Sequence, residues 1–148
     1  LAHEGEAYRD SLKEIARELG VEAMVTFVDE YLDAAALAEY VTSADVVLLP
    51  YDNHDQVTSG VLVEAVAAAR PVVATAFPHA VELLTGGAGL VVDHGNPQAI
   101  AAALRTVFSG QGRLMSEVAT RVSLGTSWTE IAARYDAVAA TILASRAA

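Results

Sequence analysis

At 148 residues the chain is long enough for one domain to bury a core unaided, and without cysteine it can form neither a disulfide nor a thiolate metal site. A formal charge of -10 argues against nonspecific nucleic-acid binding, which needs a basic footprint on phosphate. Hydrophobic residues make up 53% and aromatic ones only 6%, so the apolar mass is mostly Ala, Val and Leu, as expected for helices on a buried parallel sheet.

From Tyr8, the residues Leu12, Ile15, Ala16 and Leu19 recur at helical spacing and Gly20 follows where a left-handed C-cap belongs, which predicts a first helix. Residues 24–28 form a β-prone run. Asp33 then caps a helix with Leu37, Tyr40 and Val41 on its apolar face. Residues 46–49 read as a buried strand stopped by Pro50. A polar loop follows, and Thr58-Ser59-Gly60 opens an almost wholly apolar stretch to Ala69, too long for a strand and rich in Ala, hence a buried helix. Residues 71–75 predict a strand, 80–84 a short helix, 86–89 a turn, and 90–92 another strand.

Asn96-Pro97 predicts an N-cap with proline at the first helical position, opening a helix with Ile100, Leu104, Val107 and Phe108 on one face and Gly110 after it. A further helix is expected over 114–122. Ser127 and Glu130 form a capping box for a last helix with Ile131, Tyr135, Val138 and Ile142 at core spacing. Strands alternating with helices imply an α/β fold, a Rossmann-like doubly wound parallel sheet followed by C-terminal helices. Such sheets usually have about five or six strands, and four are expected here, with a helix first. The sheet therefore reads as truncated on its N-terminal side.

The chemistry concentrates in Gln56 to Ala65. A strand, a polar loop and a small-residue turn into a buried helix present the first helical N–H groups at the carboxyl edge of the sheet, a geometry suited to phosphate. Glu64 lies one turn beyond Gly60 on the same face, and helical side chains lean back toward the N-terminus, so its carboxylate points toward that edge. It is the only charged residue between Asp55 and Arg70. Two readings fit: an acid favoured by the helix dipole or paired with a core donor, or a ligand for ribose hydroxyls. Between Arg17 and Arg70 there is no Lys or Arg, so an anion bound here relies on backbone N–H groups or on cations from elsewhere.

The stretches Tyr8-Arg9-Asp10-Ser11-Leu12, Val46 to Tyr51, Glu64 to Thr75, Glu82-Leu83-Leu84 and Ser127-Trp128 together resemble the C-terminal domain of retaining family 4 glycosyltransferases of the GT-B fold. The resemblance covers nearly the whole chain and is most specific from Gln56 to Thr75. It implies a donor-binding half, residues 1–148, of an enzyme that transfers a sugar from a nucleotide-diphosphate sugar to an acceptor held by an upstream N-terminal domain. That family has two glutamates separated by seven residues. The second position is Glu64, implied to hold the ribose; the first is occupied by Gln56, an amide that can still meet a sugar hydroxyl.

The resemblance further implies Gln56, Thr58 and Ser59 on the donor sugar and Ser59, Gly60 and Val61 on the diphosphate, with no cofactor and no metal. The family's diphosphate Arg and Lys lie upstream of this chain, and no residue here is assigned a catalytic role. Its usual glycine before Arg70-Pro71 is Ala69, a conservative change where the backbone angle is ordinary. Asp29 and Tyr31, after the first expected strand, are candidates for the base pocket, and His79 for a loop contact at the ligand edge or a structural role.

Asp52, His54 and Asp55 read as a solvated turn in preference to a metal site, and Trp128 and Tyr135 as core. The glycines at 86–89 precede a strand, the wrong context for a phosphate loop. Without cysteine nothing points to an oxidising compartment, so the expected location is the cytoplasm, and any peripheral membrane association falls to the upstream half. The alternatives are a GT-B nucleotide-sugar epimerase domain and a non-enzymatic α/β interaction module.

Overall fold

The computed structural model describes residues 2–125 and 128–146. The chain divides into two compact units, Leu1–Leu32 and Asp33–Ala148. In the first, α1 (Ala2–Glu18) ends as its sequence predicts. Gly20 has a φ of 67°, its N–H donates to the Arg17 carbonyl at 2.9 Å, and Val21 N–H donates to Ala16 at 2.9 Å. This is a Schellman closure, and glycine enters the left-handed region without penalty.

The run at 24–28 does not form the expected strand. Glu22–Met24 is a single 3-10 turn, and residues 25–28 continue without a ladder partner, with Met24, Val25 and Val28 exposed. β-prone residues become a strand only where a neighbouring edge takes their N–H and C=O groups, and local sequence does not encode that edge.

The second unit opens with α2 (Ala34–Ser43), where Asp33 Oδ1 accepts the Ala36 N–H at 2.9 Å. The elements β1 (Val47–Leu49), α3 (Gly60–Ala67), β2 (Val72–Thr75), α4 (Pro78–Leu84) and β3 (Gly89–Val92) then build a three-stranded parallel sheet in the order β1-β2-β3. Val47 lies opposite Val72, and Val72 opposite Gly89. Among the described residues this is one strand fewer than expected.

Every residue of the central strand β2 is buried. Because strand side chains alternate, Val72 and Ala74 join a core with Leu62, Val66, Phe77 and Leu84, while Val73 joins Ala103, Val107 and Met115 on the opposite face. Both faces are thus covered.

Asn96 Oδ1 caps α5 (Pro97–Thr106) by accepting the Ala99 N–H at 2.9 Å. A π turn, Val107–Gln111, carries Gly110 at φ 110° and leads into α6 (Gly112–Leu124). Contrary to expectation Tyr40 and Phe108 are exposed, Phe108 because it falls in the π turn beyond the end of α5.

The last helix, α7 (Trp128–Arg146), departs further. Tyr135, Val138 and Ile142, placed in the core from their spacing, are 74%, 57% and 49% exposed. Spacing identifies an apolar face but not whether anything covers it. The expectations for Ser127 and for the Trp128 side chain lie outside the described residues.

Candidate functional site

At the carboxyl edge of the sheet, Thr75 ends β2 and pins the chain that leaves β1. Its Oγ1 donates to the Tyr51 carbonyl at 2.7 Å, with the Leu49 carbonyl at 3.3 Å. The Tyr51 ring packs against the buried Phe77 ring at 5.1 Å between centroids, and its hydroxyl lies 3.3 Å from Ser59 Oγ. These contacts fix where the polar loop ends and α3 begins.

Ser59 caps α3 as the sequence suggests, its Oγ accepting the Leu62 N–H at 3.2 Å. Its own N–H donates to His79 Nδ1, on the first turn of α4, at 3.0 Å. The accepting Nδ1 leaves the proton of the neutral ring on Nε2. His79 thus has the structural role, joining two loops that follow neighbouring strands. Ser59 is only 5% exposed, and both its side chain and its N–H are engaged inside the protein. It shapes the site more than it faces it.

The next two N–H groups differ. Gly60 and Val61 have no backbone or side-chain acceptor among the described residues, as first-turn amides lack an intrahelical one. Nothing lies within 4 Å of where a Gly60 Cβ would stand, and Gly60 is exposed. Gly60, Val63, Glu64 and Ala67 make up the exposed stripe of α3, and Glu64 is its only charged group. The Glu64 carboxylate forms no hydrogen bond or ion pair among the described residues, so the reading in which it pairs with a core donor fails.

Gln56 Nε2 donates to the Thr58 carbonyl at 2.7 Å, an exposed contact that holds the loop. The Gln56 Oε1 and the exposed Thr58 hydroxyl remain beside the open amides in sequence. Asp29 and Tyr31 belong to the first unit. Asp29 is held there by Arg9 at 3.3 Å and Lys13 at 3.6 Å, and Tyr31 is almost fully exposed.

A further pair was not foreseen. The rings of His54, after β1, and His94, after β3, stack with centroids 3.9 Å apart, so two loops meet across the end of the sheet. The roles of His79 and His94 depend on contacts between residues far apart in sequence, and no local pattern signals them.

A parallel sheet covered on both faces, with a helix starting at its carboxyl edge, defines a Rossmann-like domain. The chain belongs to the family of glycosyl transferases group 1, which matches residues 2–109. It is 36% identical over 136 residues to the D-inositol 3-phosphate glycosyltransferase of Kineococcus radiotolerans, aligning 84% of this chain with 30% of that protein. The enzyme of the same name from Corynebacterium urealyticum is 34% identical over 125 residues, with 84% and 27% covered.

Among solved structures, sucrose-phosphate synthase from Thermosynechococcus elongatus superposes with a TM-score of 0.76 at 23% identity, covering 94% of this chain and 35% of that one. The chain therefore spans about a third or less of the proteins it matches. It is a glycosyltransferase domain, and membership in this family disfavours the non-enzymatic module.

Proposed function

We propose that this domain is the donor-binding half of a retaining, family 4 glycosyltransferase of the GT-B type. The observation that carries the reading is the pairing of unpartnered Gly60 and Val61 amides with an unpartnered, exposed Glu64 one turn further along the same helix face. The amides and the positive end of the helix dipole receive the diphosphate of a nucleotide sugar. Glu64 accepts the ribose hydroxyls, and Gln56 and Thr58 meet the sugar. Ser59 and His79 hold the loop so that these groups are preorganised. Asp29, already held by two cations, receives no ligand role.

The acceptor and the cations that complete the diphosphate site belong to an upstream domain of the same protein, and no cofactor is needed. We place the protein in the cytoplasm. Among the described residues no helix is long and apolar enough to cross a membrane.

Calorimetric titration with nucleoside diphosphates tests the site. Glu64→Ala removes a charge-assisted hydrogen bond of about 1.5 to 3 kcal/mol and lowers affinity about tenfold or more, with the fold unchanged by circular dichroism. Equal affinity in the two proteins would remove Glu64 from the ligand and with it the main support for this reading.

A further inference from the structure

A cavity of about 450 Å³ lies at the opposite edge of the sheet, and none of its lining residues takes part in the donor site. Asp45 immediately precedes β1, and Arg70 and Pro71 precede β2, so in a parallel sheet they sit at the amino edge, across the strands from Ser59 and Glu64. Gly110, Arg113 and Ser116, from the π turn and the start of α6, complete the part of the lining that carries the argument.

Arg70 is only partly exposed and incompletely paired. Of its five N–H donors one is used, from Nη1 to the Ala44 carbonyl at a long 3.3 Å. Its Nε is sealed from solvent without an acceptor, and no carboxylate lies within ion-pair distance of the guanidinium among the described residues. A half-buried guanidinium in that condition favours a counter-anion. Arg113 lines the same cavity, and its ion pair is an exposed contact to Glu117 at 3.7 Å. The first N–H of α6, that of Gly112, already donates to the Val107 carbonyl, so the positive charge at the cavity is that of the two arginines. The opposing charge is Asp45, which is exposed and pairs with neither arginine.

We propose that this cavity is a second anion site that takes a tetrahedral oxyanion, either inorganic phosphate or a phosphate monoester. A carboxylate offers two oxygens, and one guanidinium satisfies both. Two guanidinium groups and the Ser116 hydroxyl, carried on separate elements, call for the three or more acceptors of a phosphate. The proposal is independent of the donor reading.

Backbone-amide NMR of the 148-residue chain, titrated at constant ionic strength with inorganic phosphate, glycerol 3-phosphate or acetate, decides it. Saturable shifts at Arg70, Gly112, Arg113 and Ser116 with the phosphates and none with acetate are expected. The tighter of the two phosphate titrations tells a free ion from an ester. Arg113→Ala, at a side chain 85% exposed and safe for the fold, weakens that binding about threefold to tenfold, and Asp45→Asn tightens it. Shifts confined to Ser59, Gly60 and Val61 would overturn the proposal while leaving the donor reading intact. Shifts at the cavity that never saturate, or that Arg113→Ala leaves unchanged, would overturn it as well.

Discussion

Ala69 sits at φ 54°, the one non-glycine left-handed residue among those described. It closes α3 as Gly20 closes α1: Ala69 N–H donates to Val66 at 3.0 Å and Arg70 N–H to Ala65 at 2.9 Å, the two bonds of a Schellman motif. The backbone angle is therefore not ordinary, and alanine at this position is not the conservative change its size suggests. A Cβ in the left-handed region costs about 1 to 2 kcal/mol, against about 0.5 to 1 kcal/mol for the greater unfolded-state freedom of glycine. The strain term is the larger. Ala69→Gly should stabilise the protein by about 0.5 to 1 kcal/mol, read as a higher denaturant midpoint at constant m-value. A lower midpoint would mean that the strain is relieved in some other way. Gln56 gives a second test at this scale. If its amide faces the sugar, Gln56→Ala weakens binding of a nucleotide sugar but not of the bare diphosphate, and an equal loss for both would place Gln56 at the nucleotide.

Among elements, the legible features were those whose partners lie three or four residues away. Asp33, Ser59 and Asn96 all cap the helices expected of them, because an N-cap bond closes within its own turn. The expected strand at 24–28 and the expected core face of α7 did not form, since each depends on what lies alongside. Of the candidate site, the cap and the first-turn amides could be read from sequence, whereas the exposure of Glu64 could not, since the apolar stretch read as a buried helix and one stripe of it faces out. The Tyr51 and His79 contacts that set the loop, 8 and 20 residues from Ser59, could not.

Gly89 falls between these cases. The sequence places it in a turn, whereas it is the first residue of β3, opposite Val72. An added Cβ would stand 2.2 Å from the Val72 carbonyl oxygen and 3.2 Å from Leu84 Cδ2. The first is backbone in the central strand and cannot rotate away. Gly89→Ala should therefore cost about 3 kcal/mol or more, at or beyond the upper end for overpacking, with loss of soluble protein or a sharply lowered Tm. An unchanged Tm would show that β3 can slide from β2 at little cost.

At the scale of the whole molecule, the proposed division of labour rests on what this chain holds and what it does not. It covers 30% and 27% of its D-inositol 3-phosphate glycosyltransferase relatives. Its donor edge offers two open amides and one acid, and Tyr135, Val138 and Ile142 of α7 form an exposed apolar stripe. Group transfer needs donor and acceptor held together in a water-poor cleft, and one wall of such a cleft forfeits most of that advantage. These 148 residues alone should therefore bind a nucleoside diphosphate weakly and transfer no sugar. A longer chain carrying the upstream domain should bind more tightly and lose affinity more steeply with salt, because cationic side chains then join the backbone amides at the diphosphate. Diphosphate affinity at low and high salt, measured for both lengths alongside sugar transfer, tests this. Turnover by the short chain equal to that of the long one would place acceptor binding and catalysis within these residues, and the upstream domain would then have no part in either.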